Sequence, residues 1–358
     1  MTIAISGTNG ITLDGQFNSA SSMGFKNRIL NGGMVIDQRN AGASVTPSAN
    51  TYTLDRWFMS FGGSATSKMS FQQSSTAPTG FINSIIATVV STYSVTSSDS
   101  ININQRIEGL NVSDLAWGTA SAATVTLSFW VRSSLTGTFG GSLKNSAADR
   151  SYPFTYTISS ANTWEQKSIT IAGDTTGTWL TTSGIGIILN FSLANGGTTA
   201  GTAGAWASAN YNSATGATSV VGTNGATFYI TGVQLEKGST ATSFDYRPYG
   251  TELALCQRYC FVPASNSRYV GQCDATTRAL IIYVFPQTMR SGPNATLASA
   301  ATYIVTTAAG GTVAGTSVAL SGGFTNTAQV AISVASGLVA GNATLVTASG
   351  TTIFSAEL

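Results

Sequence analysis

The sequence predicts an all-β chain built around a large jelly-roll sandwich. Three observations lead to this prediction: apolar and polar residues alternate along many short segments, Gly-rich turns separate these segments, and a helical period is almost absent. Alternation is typical of strands that bury one face, and many short strands joined by turns are typical of a sandwich or jelly roll. The full prediction adds an N-terminal extended arm, a short connecting helix and a smaller C-terminal β domain.

Residues 1–33 are predicted to form the extended arm. They are small, polar and rich in Gly and Asn, with two brief β-like runs at residues 3–5 and 11–13. No sustained pattern follows either run, so the segment cannot build a core of its own. We expect it to gain order by pairing with a neighbouring protein.

Residues 34–248 are predicted to form the jelly roll. Thr124–Arg132 and Ile185–Leu193 alternate most clearly, and Phe154–Ile158 and Tyr229–Leu235 repeat the pattern. In the first of these strands the apolar face carries Val125, Leu127, Phe129 and Val131. The turns between strands include GTFGGS, AGDTTGTW and ANGGTTAGTAG.

Residues 249–262 are predicted to form a short helical connector. The run Thr251–Tyr259 begins after Pro248 and Gly250, and Thr251 is a suitable N-cap. Cys256 and Cys260 are four residues apart, and we interpret them as packing residues rather than metal ligands.

Residues 263–358 return to alternation and are predicted to form the smaller C-terminal β domain. The predicted strands are Arg268–Cys273, Arg278–Phe285, Thr302–Thr307, Thr312–Leu320, Ala328–Val334 and Ala343–Phe354.

The composition indicates a protein that works in an assembly. Only 8% of the 358 residues are charged, and the net charge is +2. Such a surface gives a lone monomer little protection against association. Basic residues form no cluster, which argues against nucleic-acid binding, and no apolar run is long enough to span a membrane. The N-terminus lacks the basic region and apolar core that are typical of a secretory signal. A secreted adhesin with the same composition is an open alternative.

The inventory of reactive side chains argues against an enzyme and against a cofactor. Histidine is absent, so there is no Ser-His-Asp triad and no His-ligated metal. No two carboxylates lie within five residues of each other. Asp149 and Asp174 lie in polar loops and could ligate calcium, but we interpret them as turn aspartates. The pairs Asp55–Arg56 and Asp245–Arg247 are interpreted as salt bridges at the ends of the sandwich.

Carbohydrate binding is the functional hypothesis that individual residues support. Strand parity places Trp130 and Arg132 on the face of their strand opposite the apolar set, where an aromatic ring and a guanidinium suit a sugar. Trp206 and Tyr211 lie in a Gly/Ala/Ser-rich loop and are further exposed-aromatic candidates. Trp164 is ambiguous because Glu165 and Lys167 break the alternation after it. The competing interpretation is that another layer covers Trp130.

Three segments carry a family resemblance: KNRILNGGMVIDQRNAGASVTPSANTYTLDRW (26–57), residues 128–179, and TFYITGVQLEKGSTATSFDYRPYGTELALCQRYC (227–260). They resemble tail-fibre and related virion proteins of tailed bacteriophages, which have a jelly roll like that of carbohydrate-binding modules. FPQTMRSGP and the final SAEL look like the terminal domain of these proteins. The resemblance covers most of the chain.

The resemblance implies a virion component, made in the host cytoplasm and assembled as a homotrimer. It implies that residues 1–33 join other tail or baseplate proteins and that a distal β domain is available to host surface polysaccharide. The first hypothesis is therefore a non-enzymatic tail-fibre subunit. The alternatives are a capsid or neck decoration protein with a purely structural role and a tailspike-like glycan depolymerase.

Overall fold

The structure, a computed structural model, describes residues 3–6, 10–13 and 25–358. Its strands are β1 (Ile3–Ser6), β2 (Gly10–Leu13), β3 (Thr51–Leu54), β4 (Trp57–Gly62), β5 (Met69–Ser74), β6 (Ser84–Val89), β7 (Ser100–Glu108), β8 (Val125–Ser133), β9 (Gly137–Lys144), β10 (Ser151–Ile158), β11 (Glu165–Ile171), β12 (Ile185–Asn195), β13 (Ala200–Gly201), β14 (Ser213–Ala214), β15 (Thr227–Lys237), β16 (Cys260–Phe261), β17 (Ser267–Ala275), β18 (Arg278–Val284), β19 (Asn294–Thr296), β20 (Tyr303–Thr306), β21 (Thr312–Gly323), β22 (Thr327–Val334), β23 (Ala343–Ala348) and β24 (Ile353–Ser355).

The helical elements are few and short. The α-helix α1 spans Tyr249–Gln257, and single 3₁₀ turns span Gly109–Asn111, Ser113–Leu115, Gly197–Thr199, Val220–Gly222 and Ala300–Thr302. Within the part of the chain that the structure describes, no helix is long and apolar enough to cross a membrane.

The order of the strands identifies the large domain as a jelly roll. One sheet has the order β11-β8-β15-β6-β5, and the other has the order β10-β9-β12-β7-β4-β3. When β6 to β12 and β15 are counted as strands one to eight, the sheets contain the orders 1-8-3-6 and 2-7-4-5, which is the jelly-roll arrangement of two sheets. Strand β5 extends one sheet edge, β4 and β3 extend the other, and β13 and β14 form a separate parallel pair. The all-β jelly-roll prediction is confirmed.

The core of the jelly roll lies between the two sheets and is rich in aromatic rings. Phe129 of β8 packs edge-on against Phe191 of β12, with ring centroids 4.9 Å apart, and against Tyr156 of β10 at 5.0 Å. The predicted apolar face of β8 is fully buried, since Val125, Leu127, Phe129 and Val131 are all 0% exposed. The alternating residues of that strand therefore lie on its outer face.

Residues 25–33 belong to the jelly roll, which corrects the predicted boundary of the arm at residue 33. Ile29 is fully buried in the sandwich core. The amide of Arg28 donates to the carbonyl of Leu235 at 2.9 Å, and the amide of Val233 donates to Gly32 at 3.0 Å. Residues 3–6 and 10–13 form an antiparallel hairpin. The rest of the predicted arm lies outside the described residues.

The connector helix begins two residues earlier than predicted, and Thr251 is not its N-cap. The amides of Thr251 and Glu252 donate to the carbonyl of Pro248, at 2.9 and 3.0 Å, which starts the helix at Tyr249. Proline suits this position because it fixes its own backbone dihedral and lacks an amide hydrogen. Cys256 and Cys260 are free and buried, as a packing role requires.

The C-terminal domain is a closed barrel. Six antiparallel strands follow the order β17-β18-β22-β21-β20-β23, and β23 pairs with β17 to close the ring. The separate sheet β16-β24-β19 packs against the barrel through Phe354, whose ring lies 4.9 Å from that of Tyr283 and 5.2 Å from that of Phe285.

The end of the barrel domain returns to the jelly roll and makes buried polar contacts with it. Glu357 pairs with Arg56 and, at 3.1 Å, with Arg39. Arg258, just after α1, donates to Glu108 of β7 at 2.7 Å. The two domains are therefore joined by ion pairs as well as by the connector.

Arg56 does not pair with Asp55, which corrects one of the two predicted salt bridges. Asp55 instead accepts from the backbone amide of Gln38 at 2.7 Å. Both residues lie in the turn between β3 and β4, where Arg56 has a φ of 69°, and its guanidinium reaches Glu357 instead. The second predicted pair forms only a loose contact of 3.9 Å between Arg247 and Asp245, because Arg247 lies closer to Glu252, at 3.2 Å.

Candidate functional site

The outer face of β8 carries the two residues that strand parity placed there. Trp130 and Arg132 are half-buried, whereas Phe129 and Val131 between them are fully buried. The register sets Gln166 of β11 opposite Trp130 and Tyr229 of β15 opposite Arg132. Three neighbouring strands thus contribute side chains to one surface.

Two further aromatic residues complete this surface. The ring of Trp164 lies 6.0 Å from that of Tyr229 in an edge-on arrangement, and the guanidinium carbon of Arg132 lies 5.1 Å from the centroid of Tyr229. We call Trp130, Arg132, Trp164 and Tyr229 the outer-face cluster. It combines aromatic rings with a cation on the solvent side of the five-stranded sheet.

Arg132 is the distinctive member of the outer-face cluster. Among the described residues no carboxylate forms an ion pair with it, and its Nε is buried without a hydrogen-bond partner. A buried donor without a partner is uncommon, because the lost hydration is not replaced. The guanidinium of Arg132 therefore retains charge and hydrogen-bonding capacity that the described residues do not use.

Trp130 is partly covered by a neighbouring ring rather than by a complete layer. Gly232, at a bulge in β15, has a φ of 61°, and a Cβ added there would lie 2.6 Å from the ring of Phe81 and 3.1 Å from Cδ1 of Trp130. The glycine thus lets Phe81 approach the edge of Trp130. The indole remains half-exposed, with Phe81 at its edge.

Trp206 and Tyr211 do not join the outer-face cluster. Trp206 packs edge-on against Trp117 and Trp179, at 5.4 Å from each, and its Nε1 donates to the carbonyl of Ala172 at 2.8 Å. The ring of Tyr211 packs against Gly201, where an added Cβ would lie 2.3 Å from it. Both residues are half-buried packing residues. They are half-buried to the same degree as Trp130 and Arg132, but the convergence of Trp206 with Trp117 and Trp179, from distant parts of the chain, places Trp206 in a different cluster.

Trp164 could have been found from a weaker signal in the sequence of β11. Glu165 and Lys167 obscure the alternation of β11, but they pair with each other at 2.6 Å along the sheet edge. The residues at the other parity, Gln166, Ser168 and Thr170, are exposed. Trp164 shares their parity and so lies on the outer face.

The carboxylates have structural partners. Every Asp and Glu side chain between residues 25 and 358 accepts at least one hydrogen bond from this chain. Asp174 accepts hydrogen bonds from both Nε and Nη2 of Arg150, at 2.7 and 2.8 Å. Asp149 accepts one from the side-chain amide of Asn145 at 2.6 Å.

Five of these carboxyl groups have a depressed pKa, namely Asp99, Glu108, Glu165, Asp174 and Asp274. Hydrogen bonds from Thr96 and from the amide of Ser64 lower the pKa of Asp99 to about 2. In Glu108, burial would raise the pKa, but hydrogen bonds from Arg258 and Tyr259 outweigh it and lower the pKa. A general acid needs a raised pKa to hold its proton at neutral pH, so these groups are suited to structural pairing rather than to proton donation. Burial raises the pKa of Asp55 to about 6, but its side chain is fully buried and out of reach of a substrate.

The outer-face cluster is suited to binding rather than to bond cleavage. Half-exposed rings stack against apolar C–H faces, and guanidinium and amide donors such as Arg132 and Gln166 can bind hydroxyl oxygens.

Comparisons with known proteins give similarities of fold. No protein-family model and no curated protein matches the chain. Among solved structures, the enzymatically active domain of tailspike protein 4 of bacteriophage CBA120 is similar with a TM-score of 0.30 and 14% identity, over 60% of this chain and 22% of that one. The chain therefore spans about a fifth of the tailspike structure.

Two carbohydrate-binding modules are also similar. TmCBM61, solved in complex with β-1,4-galactotriose, has a TM-score of 0.30 and 9% identity, over 60% of this chain and 100% of that one. The family 11 module of a Clostridium thermocellum cellulosomal cellulase has a TM-score of 0.28 and 13% identity, over 56% and 99%. Because these scores are low, the jelly-roll assignment rests on the strand order of the chain itself.

Proposed function

We propose that this chain is a non-enzymatic subunit of a bacteriophage tail fibre that binds host-surface polysaccharide through the outer-face cluster. The observation that carries the binding role is the arrangement of Trp164, Tyr229 and Arg132, in which a guanidinium with no carboxylate partner among residues 25–358 lies beside two aromatic rings. Such a site stacks a sugar ring and binds its hydroxyl groups without a reactive pair.

The assignment to a virion rests on the sequence resemblance and on the nature of the surface. Segments 26–57, 128–179 and 227–260 resemble tail-fibre proteins, and the chain carries few charges. On the barrel, Val270, Ile282 and Val284 are 78%, 54% and 72% exposed. Apolar side chains at such exposure favour association, and symmetric assembly of a homotrimer would bury them.

The non-enzymatic assignment is supported by the carboxylates. Glycosidases use two carboxyl groups that flank the scissile bond, with about 5–9.5 Å between them. Here the strongest carboxylate contacts go to structural partners, such as Arg150 for Asp174 and Arg258 for Glu108. An assay for new reducing ends after incubation with host polysaccharide tests this assignment, and sustained release would contradict it.

Binding of host polysaccharide to outer-face variants tests the proposed site. We expect Arg132→Gln and Tyr229→Ala each to weaken binding about tenfold or more, while Arg278→Gln and Phe324→Ala leave it unchanged. The two controls remove an exposed arginine and an exposed aromatic ring from the barrel. If all four variants bind the polysaccharide with the same affinity, the outer-face cluster is not the binding site.

The position of the protein on the particle separates a fibre from a decoration protein. We expect labelled chain at the tail in electron micrographs of virions. Label spread over the capsid or confined to the neck would favour the purely structural alternative.

A further inference from the structure

A second pocket lies beside the outer-face cluster, where the jelly roll meets the connector helix. Its volume is about 280 Å³, and its walls are formed by Phe81, Ile82, Phe244, Tyr246 and Tyr249. Ile82, Tyr246 and Tyr249 are 70%, 61% and 62% exposed, so the mouth is open to solvent. Pockets for larger organic ligands span roughly 300–1,000 Å³, so this one suits a ligand no larger than a single sugar ring.

The walls of this aromatic pocket are held by contacts within the chain. The ring of Phe244 lies 5.0 Å from that of Phe81 and 4.9 Å from that of Tyr246. The hydroxyl of Tyr246 donates to the carbonyl of Gly80 at 2.8 Å. The pocket is therefore preformed, which reduces the entropy that a ligand must lose on binding.

The deep end of the aromatic pocket is polar. Arg247 and Glu252, with side chains 3% and 9% exposed, form an ion pair of 3.2 Å. Glu252 also accepts from the amide of Asn31. The Nε of Arg247 is buried and has no hydrogen-bond partner among the described residues. The pair is neutral as a whole, so the site favours an uncharged ligand that carries hydrogen-bonding groups.

The aromatic walls and the polar deep end together favour a sugar over an aliphatic side chain of another protein. An aliphatic side chain from another protein would cover the Arg247–Glu252 pair without giving it a hydrogen bond, which is unfavourable for buried polar groups. A pyranose ring can stack its C–H face on the aromatic walls and direct its hydroxyl groups toward the ion pair. The chemistry of the aromatic pocket therefore favours a neutral sugar over an apolar peptide.

The aromatic pocket is continuous with the outer-face cluster. Phe81 forms part of its wall and also reaches the edge of Trp130 across Gly232. Because Arg247 and Glu252 close the deep end, only the end of a glycan or a short branch can enter. We propose that the aromatic pocket binds a terminal neutral pyranose residue whose following residues lie along the outer-face cluster. This inference rests on the proposed function and adds that the glycan is recognised at its end.

Saturation-transfer NMR with methyl glycosides of neutral monosaccharides tests the proposal on the full chain. We expect at least one glycoside to receive saturation, and Tyr249→Ala and Ile82→Trp to reduce its binding about tenfold. Tyr249→Ala removes a wall, and Ile82→Trp fills the mouth. The control Phe324→Ala should bind as the unchanged chain does, and so should Arg132→Gln, because a single sugar does not reach the outer-face cluster.

The same variants separate this inference from the proposed function. If no glycoside binds, and if host polysaccharide affinity falls with Arg132→Gln but not with Tyr249→Ala, the aromatic pocket is not a sugar site and the proposed function stands. If neither glycosides nor polysaccharide bind, both are overturned. A change of oligomer mass in Tyr249→Ala without any glycoside binding would identify the pocket as a contact between copies and would overturn the inference.

Discussion

Arg56 of the jelly roll donates a hydrogen bond to the carboxylate of Glu357, near the end of the barrel domain, and both side chains are buried. Arg56 also lies over the ring of Tyr259, with its guanidinium carbon 3.7 Å from the centroid. Removing one partner of a buried ion pair leaves an uncompensated charge.

We therefore expect Glu357→Gln to lower the free energy of unfolding by about 3 kcal/mol, as measured by denaturant titration. The matched control is Asp274→Asn, which breaks the exposed pair with Arg278 and should change stability by less than about 1 kcal/mol. Equal effects of the two changes would contradict a buried, interdomain role for Glu357.

The buried side chain of Asn31 joins three backbone groups by hydrogen bonds, and Asn31→Ala should be strongly destabilising. Its side chain donates to the carbonyls of Ile36 and Asp55, at 2.8 and 2.9 Å, and accepts from the amide of Ile36 at 2.9 Å. We expect a loss of about 3–5 kcal/mol, because three buried backbone groups lose their partner. Asn266→Ala is the control, since Asn266 has a similar φ of 61° but is exposed. A loss near 1 kcal/mol in both variants would show that only the backbone conformation matters.

Truncation should distinguish the arm from the jelly roll. We expect removal of residues 1–24 to leave the melting temperature unchanged and to prevent incorporation into virions. Removal of residues 1–33 should also lower the melting temperature, because it deletes Ile29 and Asn31 from the buried interior. Normal incorporation of either truncated chain would contradict the attachment role of the arm.

Asp55 should make stability depend on pH between about 4 and 6. Burial raises the pKa of Asp55 to about 6 from 3.8, although Arg39 and hydrogen bonds from Gln38 act in the opposite direction. The folded protein therefore binds this proton more tightly than the unfolded chain does, and the contribution of Asp55 to stability falls as pH rises through this range.

The difference in unfolding free energy between the unchanged chain and Asp55→Asn isolates this effect from other carboxylates. Relative to Asp55→Asn, we expect the unchanged chain to lose roughly 2–3 kcal/mol of unfolding free energy as the pH rises from 4 to 7. A difference that is constant across this range would show that Asp55 titrates normally.

Self-association should depend on the outward side chains of the barrel. Val270 and Val284 lie at exposed positions of the neighbouring strands β17 and β18. We expect the unchanged chain to have the mass of the proposed trimer and the double change Val270→Lys and Val284→Lys to give a monomer, in light scattering after size-exclusion chromatography. Val90→Lys, at an exposed site on the jelly roll, is the control. A trimer that survives the double change would place the contact elsewhere.

The elements of the fold were predictable because each depends on local sequence. The alternation in residues 125–131 specifies a buried and an outer face of β8 regardless of the strands beside it. The closure of the barrel was not predicted, because it depends on β17 pairing with β23, as in the contact between Ser267 and Ala348. Alternation indicates that a strand pairs but does not identify its partner.

The candidate site was predictable only in part for the same reason. Trp130 and Arg132 follow from the parity of one strand, whereas Tyr229 lies beside Arg132 through the register between β8 and β15. The partners of Arg56 and Trp206 also come from distant parts of the chain. Sequence identified the outer face of β8 but not which residues from other strands and loops meet there.

The return of Glu357 to the jelly roll has a mechanical consequence. Two segments of the chain cross between the domains, and they meet at one place. The amide of Ala356 donates to the carbonyl of Tyr259 at 2.8 Å, and both Tyr259 and Glu357 contact Arg56. Bending at the connector would have to break these contacts together, so the two domains should transmit force as one stiff unit.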